Sequence, residues 1–208
     1  MYSYPPYTPH VGFDVITPPS EEAVTLAQMK MHLQEVRSDQ DTLIQSINAA
    51  ARQWIEERIG RTLMDTTYEL SFEEYPQAWS RIELRKPPII EIDTFSYTDS
   101  NGNVQEIADD QFVLAGGLAP FISPAYGIAW PATRSQVGSL KVRYRAGYAQ
   151  AGSPDQRHLI PQPLIAAIKL LAAHLFENRE AVVAGTTITE VPFTVEALCK
   201  PYRTRIGL

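Results

Sequence analysis

The period of the apolar residues changes twice along this chain, and that limits the folds open to it. In SDQDTLIQSINAAARQWIEERIG, residues 38–60, Leu43, Ile47, Ala50 and Trp54 form one row and Ile44, Ala51, Ile55 and Ile59 the next. That is the spacing of an amphipathic helix with a wide apolar face. From about residue 66 to residue 148 the apolar positions alternate instead, as half-buried strands require. The helical period returns in LIAAIKLLAAHLFEN, residues 164–178. Helical segments therefore flank an antiparallel β module, and the expected class is α+β.

Local signals place the elements. In VTLAQMKMHL, Thr25 is expected to cap a short helix while Gln28 reaches back to it, with Val24 packing on Met29 and the helix ending near Gln34. Ser38 or Asp39 is expected to cap the second helix, Asp39 and Asp41 to complement its dipole, and Gly60 to stop it. TTYELSF, RIELRK, IIEIDTFSY, VQEI, QFVLA, APFIS and SLKVRYRAGY read as strands, with SNGN at residues 100–103 a hairpin turn and Pro87 and Pro88 an edge or corner. In the last strand Leu140, Val142, Tyr144 and Ala146 face one way, and Lys141, Arg143 and Arg145 the other.

After the linker AGSPDQRHLIPQP, Pro163 suits the first turn of a helix. Leu164, Ile165, Ile168, Leu171, Ala172, Leu175 and Phe176 form its main stripe, while Ala166, Ala167, Leu170 and Ala173 leave the other side apolar too. Such a helix is expected to be covered on more than one face. The tail TTITEVPFTVEALCKPYRTRIGL reads as a short strand, a turn at Pro192 and a short helix over about residues 195–202. Residues 1–20, with five prolines and three tyrosines and no periodicity, read as an arm without a core of its own, either frayed or ordered on a neighbour.

Composition excludes several functions. A chain of 208 residues that is 44% apolar can bury a real core, and its net charge of −6 argues against a dedicated nucleic-acid binder, which normally shows a basic excess. Cys199 is the single cysteine, so neither an intrachain disulfide nor a thiolate zinc cage can form, and a reducing cytoplasm suits the chain. MYSYPPYTPHVGF lacks the basic start and apolar core of a signal peptide, so synthesis without export is expected. The most apolar run, residues 164–176, is interrupted by Lys169 and His174 and is too short to span a bilayer, so no membrane partner is expected.

The candidate constellations are sparse. His174 and Glu177 share a helix face but lack the second histidine of the zincin pattern, so a polar pair is the simpler reading. Lys141, Arg143 and Arg145 could touch phosphates, but Glu69, Glu73, Glu74, Glu83, Glu91 and Asp93 lie in the same module and offer cross-strand partners. Asp99, Asp109 and Asp110 follow turn residues and read as loop solvation. No phosphate-binding or nucleophile motif occurs, and no cofactor is expected.

One ordered set of segments carries more. TLAQMKMHL, SDQDTLIQSINAAARQWIEERIGRTL, a β insertion containing LRKPPI, VRYRAGY, PQPLIAAIKLLAAHLFENREAVVAG and EVPFTVEALCKPYR follow one another along residues 22–203. In that order they resemble the head-tail connector (adaptor) proteins of long-tailed bacteriophages and gene transfer agents. The resemblance implies a helical bundle of N- and C-terminal helices with the β module inserted. It divides the chain into an arm (1–21), a first helical part (22–64), the β module (65–150), a long helix and corner (151–190) and a C-terminal docking segment (191–208).

The resemblance also implies a non-enzymatic virion structural protein of the neck, made in the bacterial host cytoplasm. Its partners would be copies of itself in a ring, commonly twelve-fold, the portal protein above, and a stopper or tail-completion protein below. DNA would pass through the ring without tight binding, which the acidic composition suits. His174, Glu177, Asn178, Arg179 and Glu180 would form a helix end and corner against a neighbouring subunit. The apolar and basic residues Phe193, Leu198, Lys200, Tyr202, Arg203 and Arg205 suit docking on the portal. Two other readings stay open: a metal-dependent hydrolase using His174 and Glu177, and a host-surface binding module at the tail tip with Trp79, Tyr97 and Trp130 as its platform.

Overall fold

The computed structural model describes residues 11–75, 81–148, 157–178 and 193–204. The fold is α+β and comprises two compact units. Residues 66–146, with residues 11–18, form a β unit, and residues 19–65 and 147–204 form a helical unit. Among the described residues, no helix is long and apolar enough to cross a membrane.

In the helical unit, α1 (Leu26–Leu33) starts at Thr25, whose side chain accepts from the Gln28 backbone N–H at 3.2 Å while Gln28 accepts from the Thr25 N–H at 3.1 Å. This reciprocal pair satisfies two donors that a helix start otherwise leaves free. Val24 and Met29 are both fully buried, as the staple requires. Helix α2 (Asp41–Ile59) differs from expectation at its start, because Gln40 rather than Ser38 or Asp39 is the capping position and makes no side-chain cap. Asp41 instead receives the Lys30 ammonium at 2.6 Å, which fixes the turn between the helices.

Helix α3 (Gln162–Glu177) packs along α2, and α4 (Phe193–Cys199) closes over both. The core joins Ile44, Ala51, Ile55 and Ile59 of α2 to Leu164, Ala167, Ile168 and Leu171 of α3 and Val195 and Cys199 of α4. The α3 residues Leu170 and Leu175 remain 36% exposed, so its second side is only partly covered within one chain. Among the described elements α3 touches α1, α2 and α4.

A charged cluster lies inside this unit. Arg52, 5% exposed, donates to Glu22 from Nε at 2.7 Å and to Glu56 from Nη1 at 2.5 Å. The other Glu56 oxygen accepts the Leu63 N–H at 2.8 Å. Nearby, Asn48 donates to the Val24 carbonyl at 2.7 Å. Burial opposes the Arg52 charge, but the hydrogen bonds and charges of Glu22 and Glu56 outweigh it and hold the guanidinium more firmly protonated than usual. One arginine thus ties the entry segment and the loop after α2 to the helix.

The β unit contains two antiparallel sheets. Strands β1 (Val11–Thr17), β2 (Thr66–Phe72), β8 (Leu140–Ala146), β4 (Ile89–Thr98) and β5 (Val104–Glu106) pair in that order. Strands β3 (Ile82–Glu83), β7 (Phe121–Pro124) and β6 (Phe112–Ala115) form the smaller sheet. Alternation sets the core: Leu70 and Phe72 of β2, Leu140, Val142 and Tyr144 of β8, and Phe95 of β4 pack with Ile82 and Ile122 of the smaller sheet. The buried Tyr144 hydroxyl donates to the Arg85 carbonyl at 2.9 Å and accepts from the Arg85 N–H at 3.2 Å, so it pins the corner before Pro87 and Pro88.

Two strands depart from the sequence reading. Val11–Thr17, assigned to the arm, form an edge strand on β2, with Phe13 stacked on Tyr68 at 5.0 Å between ring centroids. The strand is held by partners fifty or more residues away, so local pattern does not reveal it. RIELRK shortens to Ile82–Glu83, which pair with Ile122 and Phe121, and the chain takes a positive φ of 58° at Lys86 just before the two prolines.

Candidate interaction surfaces

The polar cluster at the end of α3 is a helix cap. The Asn178 backbone N–H and side-chain Nδ2 both donate to the His174 carbonyl, at 3.0 and 2.8 Å, filling an acceptor that the helix end leaves open. Glu177 and Asn178 are exposed, while Arg179 and Glu180 lie outside the described residues. Among the described residues, no group of three or more His, Cys, Asp or Glu is placed to hold a metal ion.

The C-terminal candidates divide. Leu198 and Tyr202 pack against the helical core, whereas Phe193, 86% exposed, Lys200 and Arg203 face outward. Arg205 lies outside the described residues, as does the expected strand over residues 186–190. Glu196 bridges Arg203 and Arg58, the latter at 2.6 Å, and the Thr204 N–H donates to the Ile59 carbonyl at 2.8 Å. Sequence reasoning treated this segment as free to dock, but Val195 and Cys199 make it part of the core.

Cys199 reports on that packing. Burial, with the neighbouring Glu196 carboxylate, pushes its thiol up to about 11. In the folded chain at neutral pH an aromatic disulfide reagent should modify Cys199 at least about a hundredfold more slowly than in urea, since both access and thiolate are suppressed. Equal rates would mean that α4 is not docked in solution.

The outward row of β8 is neutralised across strands. Lys141 and Arg143 both pair with Glu69, at 3.0 and 2.8 Å, and Arg145 pairs with Glu91. Burial works against the Glu69 charge, but the hydrogen bonds from Arg143 and Lys141 outweigh it and hold the carboxyl below its ordinary value of 4.5. A depressed carboxyl stabilises the fold above its unfolded pKa and loses that contribution as pH falls through the folded value. Acid should therefore weaken the β unit below about pH 4.5. Glu69→Gln should flatten that acid limb by about 1 kcal/mol or less in urea melts run against pH.

The aromatic candidates also separate. Trp79 lies outside the described residues. Trp130 stacks on Tyr75 at 5.4 Å and meets the Phe95 ring edge-on at 5.3 Å, so much of its surface is spent inside the unit. What remains joins Tyr97, Gln105, Gln111, Ile128 and Pro131 around a half-open pocket of about 220 Å³. Sequence reading singled out Tyr97 and Trp130 but not Gln105, Gln111 or Ile128, which reach the pocket from β5, the turn before β6 and the loop after β7.

No protein-family model matches the chain, and no curated protein sequence does. Solved structures do resemble it. One is a chain from a structure described as the virion of a native gene transfer agent particle, with a TM-score of 0.74 and 23% identity over 94% of this chain and 97% of that one. Another belongs to the neck of a native particle computed with C12 symmetry, with a TM-score of 0.75 and 23% identity over 95% of this chain and 97% of that one. A third, from the neck of an empty particle computed with C6 symmetry, has a TM-score of 0.75 and 22% identity over 95% and 97% of the two chains. The likeness spans both units and shows a shared fold.

Proposed function

We propose that this chain is a structural adaptor of a virion neck, assembled as a ring beneath the portal and joining the DNA-filled head to the tail. The observation that carries this reading is the likeness over at least 94% of this chain and 97% of neck or virion chains of gene transfer agent particles. No bond is made or broken in this role. The residues supply contact surfaces, and twelve copies would match the symmetry named for one neck structure.

Three physical features support it. A ring built from one kind of contact needs two different adhesive surfaces on each copy. The partly open side of α3, with Leu170 and Leu175, offers one in the helical unit, beside the corner begun by His174, Glu177 and Asn178. The net charge of −6 and the neutralised row of β8 keep the chain from gripping DNA that must pass. Phe193, Lys200 and Arg203, with Arg205 beyond them, form the contact to the portal, and a stopper protein follows below.

Electron microscopy of particles carrying a labelled copy tests the placement. Label at the head-tail junction is expected, and label at the tail tip or absent from the particle would reject the role. Portal contact is best tested with Phe193→Ala and Lys200→Glu in a pull-down, because deleting residues 191–208 also removes Val195 and Cys199 from the core. Retention of both variants at the level of the unaltered chain would remove the portal assignment.

A further inference from the structure

The register of the larger sheet aligns two features at its opposite edges. Val11, where β1 begins, pairs with Phe72, Phe72 with Leu140, Leu140 with Tyr97, and Tyr97 with Gln105. The start of β1 and the pocket bounded by Tyr97 and Gln105 therefore share a single cross-strand row, four strand spacings or roughly 19 Å apart. The residues preceding Val11, MYSYPPYTPH, contain three tyrosines and three prolines in ten positions.

We infer that residues 1–10 of one copy occupy the pocket beside β5 of the next copy. This rests on the ring reading given above. Chemistry fits the guest to the site. Proline-rich segments are recognised by aromatic-lined grooves because their extended helix is preformed and little entropy is lost on binding. The pocket combines Tyr97, Trp130 and Pro131 with a largely polar accessible lining, in which Gln105 and Gln111 offer amide donors for the carbonyls of such a segment and Glu106 an acceptor for its tyrosine hydroxyls.

Geometry fits as well. Both β1 and β5 are edge strands, and each edge carries exposed apolar residues, Val15 at 55% on one and Val104 at 74% on the other. Such edges are normally covered or blunted. Copies set side by side, edge to edge, bring the origin of one arm level with the pocket of its neighbour, and repetition of that head-to-tail step is what a ring demands. Ten extended residues span up to about 35 Å, so the arm has length to spare.

Disulfide trapping between full-length chains tests this. Cys199 is buried, so introduced cysteines report without removing it. Chains carrying Tyr4→Cys are mixed with chains carrying Gln105→Cys under mild oxidation. Mixed dimers should exceed those formed with Met31→Cys, on exposed α1, by about tenfold or more, because seating raises the local thiol concentration. Pro5→Gly with Pro6→Gly beside Tyr4→Cys should cut the yield severalfold without touching the folded units.

Absence of the Tyr4 to Gln105 product overturns the inference whether or not a ring is present. A Tyr4→Cys, Gln105→Cys double variant that closes mainly within one chain also overturns it, because the arm would then occupy its own pocket. The mixed product without any ring in sedimentation, and without label in the neck, would leave the arm contact standing and reject the ring.

Discussion

Replacing Arg52 by methionine should destabilise the helical unit by about 3–5 kcal/mol, although the two side chains are similar in length. The unaltered guanidinium is nearly enclosed and serves two carboxylates, and the substitution removes the cation that Glu56 faces while the carboxylate stays buried. Removing one member of a buried ion cluster costs more than the cluster contributes, since the remaining charge stays away from water without its partner. Urea unfolding followed by far-ultraviolet circular dichroism would measure the loss. A triple change of Arg52, Glu56 and Glu22 to apolar residues of similar volume should recover much of it. If Arg52→Met alone unfolds at the same urea concentration as the unaltered chain, the cluster is not formed in solution.

Gly147→Ala should cost roughly 2–4 kcal/mol, a large effect for one methyl group. Gly147 adopts a φ of 139°, which L side chains rarely take, and a Cβ placed there would lie 2.7 Å from the Met64 backbone carbon and oxygen. Backbone cannot step aside as a side chain can. The adjoining Tyr148 N–H donates to the Leu63 carbonyl at 3.1 Å, and its hydroxyl accepts from Arg61 at 2.8 Å, so the crossing is held from both sides. Gly138→Ala, at a φ of 75° and with the flexible end of Lys141 at 3.8 Å as the nearest atom, is the comparison for an uncrowded positive-φ site. A lower thermal midpoint for the Gly147 variant is expected from its close approach and its less accessible φ together, and equal midpoints would argue against both.

The sequence was most informative where one element decides its own structure. The Thr25 and Gln28 pair lies within a single turn, and the row Ile44, Ala51, Ile55 and Ile59 is buried throughout as its spacing requires. The alternation of β8 likewise places Leu140, Val142, Tyr144 and Ala146 inside and leaves its basic residues to their glutamates. The helix-end cluster was legible in part, since Asn178 and His174 meet over a single turn.

Long-range partners set the limit. Strand β1 needs β2, the pocket needs segments from residues 97 to 131, and Arg52 looks like an ordinary helix-surface charge until Glu22 arrives from thirty residues upstream. The C-terminal segment is a different case: Leu198 and Tyr202 have the apolar character of a contact surface, and nothing local says that they also pack on the helical core of their own chain.

Thr66 and Ala146, where the chain enters and leaves the β unit, are paired residues on adjacent strands. Some eighty residues therefore begin and end on neighbouring backbone positions of one sheet, so the segment between them closes on itself. A shortened or lengthened loop inside that segment leaves its two ends where they are, whereas removing β2 would strip β1 of its partner.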